Sequence, residues 1–257
     1  MRFALITGAS KGIGRSIAFE MAGRGIDLLL VARSEEALKD LANTLSAKYS
    51  VRAFYFASDL SLPDAPKRIL DWTRTNNYQV QYLVNNAGYG LSGSFEQYAL
   101  KDHLDNMQVN MNAVVSLCYL FLPQLKQRQQ SYILNIASSA AYQAVPYMSV
   151  YAATKAFVLQ FSRGLHHELK STSVSVTAIS PGATDTDFVN RAKVGPKALK
   201  LADRFNMNAD TVAKIAVTAM FRRQPEVVTG FINKLGVFMA WLLPKNTVEK
   251  ASAKIYQ

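Results

Sequence analysis

The sequence predicts an α/β protein built on a doubly wound parallel sheet. Short apolar runs recur along the 257-residue chain and alternate with longer amphipathic stretches. The runs are apolar almost throughout, as strands covered on both faces must be. A glycine-rich turn, Thr7-Gly8-Ala9-Ser10-Lys11-Gly12-Ile13-Gly14, follows the first run and opens the first amphipathic stretch. Strand–helix alternation with right-handed crossovers places helices on both faces of one sheet.

The strands are read in order as "FALIT" (3–7), "DLLLVA" (27–32), "VRAFYFA" (51–57), "QYLVNNA" (81–87), "YILNIA" (132–137) and "VSVTAIS" (174–180). Helices are expected to start near Gly12, Ser34, Leu62, Lys101, Val150 and Asn208. Pro63, Pro123, Pro146, Pro181 and Pro196 fall near the ends of these elements or between them. No linker, repeat or low-complexity tract divides the chain, so residues 1–257 read as a single domain. Within it, 183–208 reads as a substrate-loop insertion over the carboxyl edge of the sheet, where open α/β sheets bind ligands. Residues 230–257 form an apolar and basic C-terminal segment.

Composition narrows the function. Hydrophobic residues make up 49% of the chain, which excludes a disordered protein. The formal net charge of +11 admits nucleic acid or an anionic membrane as partners. Without a compact run of about five basic residues or a nucleic-acid-binding signature, a solvated basic surface with a few phosphate contacts is the better reading. No nucleic-acid partner is expected. His103, His166 and His167 lack metal-ligand spacing, so no metal is expected. Cys118 is the single cysteine and sits in "VVSLCYLFL", where a buried, inert thiol is expected. The N-terminal "MRFALITGAS" does not read as a secretory leader. Together these point to a reducing, cytoplasmic compartment.

Two features carry the chemistry. Gly8, Gly12 and Gly14 allow a tight turn and close approach of a pyrophosphate to the first helix N-terminus. Tyr151 and Lys155 stand four positions apart, which puts them on one helix face. An unperturbed tyrosine has a pKa of about 10, and an adjacent ammonium is expected to lower it, giving a proton donor and acceptor. After the second strand no acid stands at position 32 or 33. Arg33 can pair with a ribose 2′-phosphate, and Lys11 can add a second cation, which puts NADP(H) ahead of NAD(H).

These residues belong to a wider set: TGASKGIG (7–14), Asp59 in "SDL", NNAG (85–88), Asn110 in "QVNMN", Ser138 in "NIASSAA", YAATK (151–155) and PGATDT (181–186). In order and spacing the set resembles the short-chain dehydrogenase/reductase family across about residues 1–190. The resemblance implies a Rossmann fold with a seven-stranded sheet, NAD(P)(H) as cofactor, and roles for matching positions. Tyr151 would exchange the proton, Ser138 would bond the substrate oxygen, Lys155 would hold the nicotinamide ribose, and Asn110 would support a water relay. Ser139 is the fallback for Ser138, and Asn112 the neighbour set aside for Asn110. Gly8, Ser10, Lys11, Gly12, Ile13 and Gly14 would meet the pyrophosphate, with Arg33 and Ser34 at the ribose phosphate. Asp59 and Leu60 would lie by the adenine, Asn86, Ala87 and Gly88 along the cofactor, and Pro181, Gly182, Ala183, Thr184 and Thr186 at the nicotinamide side.

The expected activity is hydride transfer between NADP(H) and a carbonyl or secondary alcohol. Tyr142, Tyr147, Met148, Phe188 and Phe205 suggest an apolar pocket suited to a lipophilic ketone, 3-oxoacyl or hydroxysteroid-like substrate. The alternative is a catalytically silent nucleotide-binding regulator of the same fold. A homodimer or homotetramer is expected through helices at about 101–127 and 150–170. In the tail, Phe231, Leu235, Met239 and Leu242 share a helical face, with Val237 and Trp241 on the other side. A pocket lid and a subunit interface rank ahead of a peripheral membrane contact for this segment.

Overall fold

The computed structural model describes residues 2–185, 192, 195, 199 and 206–256. Phe188, Phe205, Pro196 and Thr186 lie outside the described residues. Seven strands form one parallel sheet: β1 (Phe3–Thr7), β2 (Asp27–Ala32), β3 (Ala53–Ala57), β4 (Val80–Asn85), β5 (Ser131–Ile136), β6 (Val174–Ser180) and β9 (Glu226–Val228). Their spatial order is β3-β2-β1-β4-β5-β6-β9. A separate two-stranded pair joins β7 (Thr184–Asp185) to β8 (Met207–Asn208).

Side-chain alternation explains the continuous apolar strands. Leu5, Leu29, Leu83 and Ile133 enter a core on one face together with Phe121. Their neighbours Ile6, Leu28, Leu30 and Leu134 enter a second core on the other face, against Ile17 and Met21. Both sets are withdrawn from water, so neither face tolerates a polar alternation.

The helices are α1 (Gly12–Ala22), α2 (Glu35–Tyr49), α3 (Ala65–Thr75), α4 (Leu100–Met107), α5 (Ala113–Lys126), α6 (Ser149–Glu168), α7 (Ala209–Phe221), α8 (Phe231–Leu242) and α9 (Lys245–Tyr256). A π-helical turn, Gln108–Asn112, joins α4 to α5. Five of the six expected helix starts fall within a residue of these bounds. The exception is α3, which begins at Ala65 rather than near Leu62. Leu62 instead closes a turn with Asp59 and accepts the Ala65 amide, and Pro66 occupies the first helical turn, where a missing N–H costs nothing. Asn208 caps α7, its side-chain oxygen accepting from the Asp210 amide at 2.7 Å.

Strand limits differ from expectation at β4. The sheet ends at Asn85 instead of Ala87 because Asn86 and Ala87 turn towards β1. Their amides donate to Thr7 Oγ1 at 3.0 and 3.1 Å. Strand order reverses between β1 and β4, and the crevice there is where an open sheet of this kind binds its ligand. Among the described residues, no helix is long and apolar enough to cross a membrane.

Candidate active site

The first βα turn has the backbone its glycines were expected to permit. Gly8 and Gly12 take φ of +64° and +54°, in the left-handed region that favours glycine. Lys11 stands at the N-cap of α1 without a side-chain cap bond, so the first amides of the helix face the crevice without that partner. Asn86 locks the turn from the opposite strand. Its Nδ2 donates to the carbonyls of Thr7 and Gly8 at 2.9 and 3.2 Å. Gly14 serves packing: a Cβ there would lie 2.3 Å from both Asn86 Nδ2 and the Gly8 carbonyl.

A cavity of about 1040 Å³ runs along the carboxyl ends of the strands. Gly8, Ser10, Lys11, Gly12 and Ile13 line one end, with Arg33 and Ser34 beyond β2. Asp59 and Leu60 follow from the end of β3, and Asn86, Ala87 and Gly88 from β4. At the other end are Ser138, Tyr151 and Lys155, then Pro181, Gly182, Ala183 and Thr184. Residues far apart in the chain thus converge, as the motif order predicts. Gly14 and Asn110 stand behind the wall.

The cavity fits a dinucleotide on structural grounds. It offers a glycine cradle at a helix N-terminus, the arrangement that receives a pyrophosphate. Ser58, at the end of β3, also lines it, and its buried hydroxyl has no hydrogen-bond partner among the described residues. Such a buried donor needs a partner, which a ligand can supply. Asp59 Oδ1 accepts from the Ser61 amide at 3.0 Å, which fixes the loop beside it. Arg33 and Lys11 are both exposed at this end and present their charge where a phosphate would enter.

At the far end, Tyr151 and Lys155 lie on the buried face of α6 with Ala152, Val158, Leu159 and Ser162. Lys155 Nζ sits 5.9 Å from the Tyr151 ring centroid and donates to the Ile136 carbonyl at 2.8 Å. Burial lowers the Lys155 pKa from 10.5 to about 8. The expected depression at Tyr151 is not found. Burial pushes its pKa up to about 12, a hydrogen bond with Ser138 opposes the rise, and nearby Tyr256 adds to it. The physical reason is desolvation: both groups are buried, and the ammonium reaches a main-chain carbonyl instead of the tyrosine hydroxyl.

Ser138 is held by an extended backbone just past β5, and its Oγ accepts from the Ala140 amide at 3.1 Å. Neighbouring Ser139 also lines the cavity, but the pairing with Tyr151 falls to Ser138. Asn110, in the π turn, is fully buried. Its Oδ1 accepts from the Tyr89 amide at 3.1 Å, and its Nδ2 donates to the Tyr89 carbonyl at 3.0 Å and to Thr154 Oγ1 at 3.0 Å. These bonds tie the loop after β4 to α6. Asn110 Oδ1 and Lys155 Nζ flank Gly88: a Cβ on that glycine would lie 3.1 and 3.2 Å from them.

Of the residues expected to make the pocket apolar, Met148 lines the cavity. Tyr142 does not; its hydroxyl bonds Glu226 and, at 3.2 Å, Ser180. Tyr147, with a left-handed backbone at φ +65°, is not among the lining residues either. Several wall residues escaped the sequence reading, Tyr89, Leu91, Val109 and Tyr256 among them. Tyr256, on α9, enters the cavity and packs in the cluster of Tyr151, Met148 and Val145. Gln143 Nε2 donates to Ser252 Oγ at 2.7 Å and anchors α9 there. The only signal for Tyr256 in the sequence was an apolar pair, Ile255-Tyr256, at the end of a polar stretch.

A doubly wound parallel sheet with a cavity along its carboxyl edge and a Ser/Tyr/Lys cluster in that cavity defines a Rossmann-type α/β protein with a candidate dinucleotide site. The chain belongs to the short-chain dehydrogenase family, whose model matches residues 2–196. Among curated relatives, the very-long-chain 3-oxoacyl-CoA reductase of Rattus norvegicus is 36% identical over 185 residues, covering 70% of this chain and 58% of the relative. The chain therefore spans little more than half the length of that relative. A short-chain dehydrogenase from Sphingobium yanoikuyae, solved in complex with NADPH, superposes with a TM-score of 0.83 at 30% identity, covering 98% of this chain and 93% of that one. One from Burkholderia phymatum in complex with NAD gives 0.84 at 25% identity, covering 94% and 93%.

Proposed function

We propose that this oxidoreductase uses NADP(H) to interconvert a lipophilic carbonyl compound and its secondary alcohol. The observation that carries the reading is the convergence of Ser138, Tyr151 and Lys155 on one end of a cavity whose other end presents Arg33 and Lys11. The bound nicotinamide supplies the hydride. The protein's residues handle the oxygen. Ser138 and Tyr151 donate hydrogen bonds to it, and Tyr151 delivers its proton as charge develops. A tyrosine with a pKa of about 12 holds that proton firmly at neutral pH, which suits the reductive direction. Lys155 steadies the tyrosinate and holds the ribose once it leaves the Ile136 carbonyl. Asn110, behind Gly88, positions the loop and connects to a proton path by way of Lys155.

Cofactor choice rests on charge. Arg33 and Lys11 match a 2′-phosphate, while an NAD-type site calls for an acid in that place. The cavity wall of Met148 and Tyr256 favours an apolar substrate. The names of the relatives agree with this range, from a 3-oxoacyl-CoA reductase to an NADPH-bound dehydrogenase. Residues 1–257 act as one domain in a cytoplasmic setting; most of 183–208, read as a substrate-loop insertion, lies outside the described residues. Self-association would use Leu104, Met107, Tyr119 and Phe157, large apolar side chains exposed on α4, α5 and α6. The silent-regulator alternative leaves the buried Tyr151–Lys155 pair without a purpose.

Titration of NADPH and NADH against the purified protein tests the reading. NADPH should bind at least about tenfold more tightly, the scale of one charge-assisted contact. Arg33→Ser should remove most of that difference and leave NADH binding unchanged. Equal affinities in the wild type would contradict the phosphate assignment.

A further inference from the structure

We propose that α8 is an interfacial helix that rests the protein on an anionic lipid surface. Helices of water-soluble domains turn their apolar stripe inward, and this one turns it outward. Phe231, Leu235, Phe238 and Leu242 follow the i, i+4, i+7, i+11 spacing of a single stripe and are 79%, 50%, 53% and 57% exposed. Trp241, 77% exposed, extends the stripe on one side and Ile232 on the other. The inner side of the helix holds Asn233, Val237 and Ala240. Asn233 Nδ2 bonds the Thr229 carbonyl at 2.8 Å and its side chain closes on Gly182, so α8 is fixed to the body of the fold. The stripe is therefore a presented surface rather than a helix waiting to pack inward.

Charge selects the occupant. Lys234 on α8 and Lys245, Lys250 and Lys254 on α9 are all exposed, and Glu249 is the only acid in residues 231–257. A two-fold contact between copies of this surface would bring lysines against lysines, which costs binding energy. An anionic bilayer neutralises them while its acyl boundary takes the aromatic and aliphatic side chains. With twelve residues α8 is too short to span the hydrocarbon layer, so it would lie in the interface plane.

Co-sedimentation of the full chain with phosphatidylcholine vesicles, with and without phosphatidylserine, tests this without recourse to turnover. Binding should rise with phosphatidylserine and fall with salt, each lysine near the surface multiplying the partition about fivefold. The combined variant Phe231→Ser, Leu235→Ser, Phe238→Ser should lose binding about tenfold or more while its melting curve stays that of the wild type. A second variant, Lys234→Glu with Lys245→Glu and Lys250→Glu, should lose binding to the anionic vesicles and keep NADPH binding. Equal pelleting with both vesicle types, or unchanged pelleting of either variant, would overturn the proposal. So would a wild-type dimer that ignores vesicles and that the serine variant turns into a monomer.

Discussion

Replacing Lys155 with methionine should stabilise the cofactor-free protein at neutral pH while ending turnover. The side chain is 5% exposed, and burial alone accounts for the fall of its pKa from 10.5 to about 8. At about 1.4 kcal/mol per pH unit, carrying that charge in the folded state costs about 3 kcal/mol. Methionine removes the cost and gives up one hydrogen bond to the Ile136 carbonyl, worth about 1 kcal/mol. The net gain is about 2 kcal/mol at pH 7, or about 4–8 °C in Tm for a chain of this size. The sign with pH follows from proton counting. Between pH 8 and 10.5 the unfolded chain binds more protons at this lysine than the folded chain, so wild-type stability rises across that window. The gap between variant and wild type should therefore close to about zero by pH 10. Urea unfolding of both proteins at pH 7 and pH 10 measures it. A variant less stable than wild type at pH 7, or a gap that does not change with pH, would refute the reasoning.

Two further outcomes follow from the same geometry. Gly14→Ala places a Cβ 2.3 Å from the Gly8 carbonyl and from Asn86 Nδ2, so the turn must open. It should lower stability by about 1–3 kcal/mol and weaken NADPH and NADH binding alike, as read by thermal melts and by titration. Tyr256→Ala removes a wall of the cavity without touching the glycine turn. Its KM for bulky ketones should shift several-fold relative to small ones at constant cofactor affinity, and steady-state kinetics on a ketone series would show an unchanged ratio if Tyr256 had no part in the pocket.

The six strands that make up most of the sheet were legible because burial on both faces demands unbroken apolar sequence. The seventh, Glu226–Val228, was not: three half-buried residues carry no periodicity to read. The glycine turn, the Tyr151–Lys155 pair and Ser138 were legible from type and spacing. The state of Tyr151 was not, because its pKa depends on burial and on groups distant in the chain, Tyr256 among them. The exposed face of α8 was half legible. Its helical spacing could be read, but which side met solvent depended on Asn233 and Ala240 packing inward. Gly14 was read as a pyrophosphate contact and Asn110 as the support of a water relay; both stand behind the cavity wall, where packing and a buried hydrogen-bond set hold them.

The most direct test of the account is turnover of Tyr151→Phe with NADPH and a ketone, beside a titration of NADPH into the same variant. The hydroxyl is the only group removed, and the ring stays in its cluster with Val145 and Met148. The account predicts NADPH affinity close to wild type and a kcat lower by at least about a hundredfold, the scale of lost general acid catalysis. Turnover within a few fold of wild type, with cofactor bound, would contradict Tyr151 as the proton donor and with it the proposed chemistry of the site.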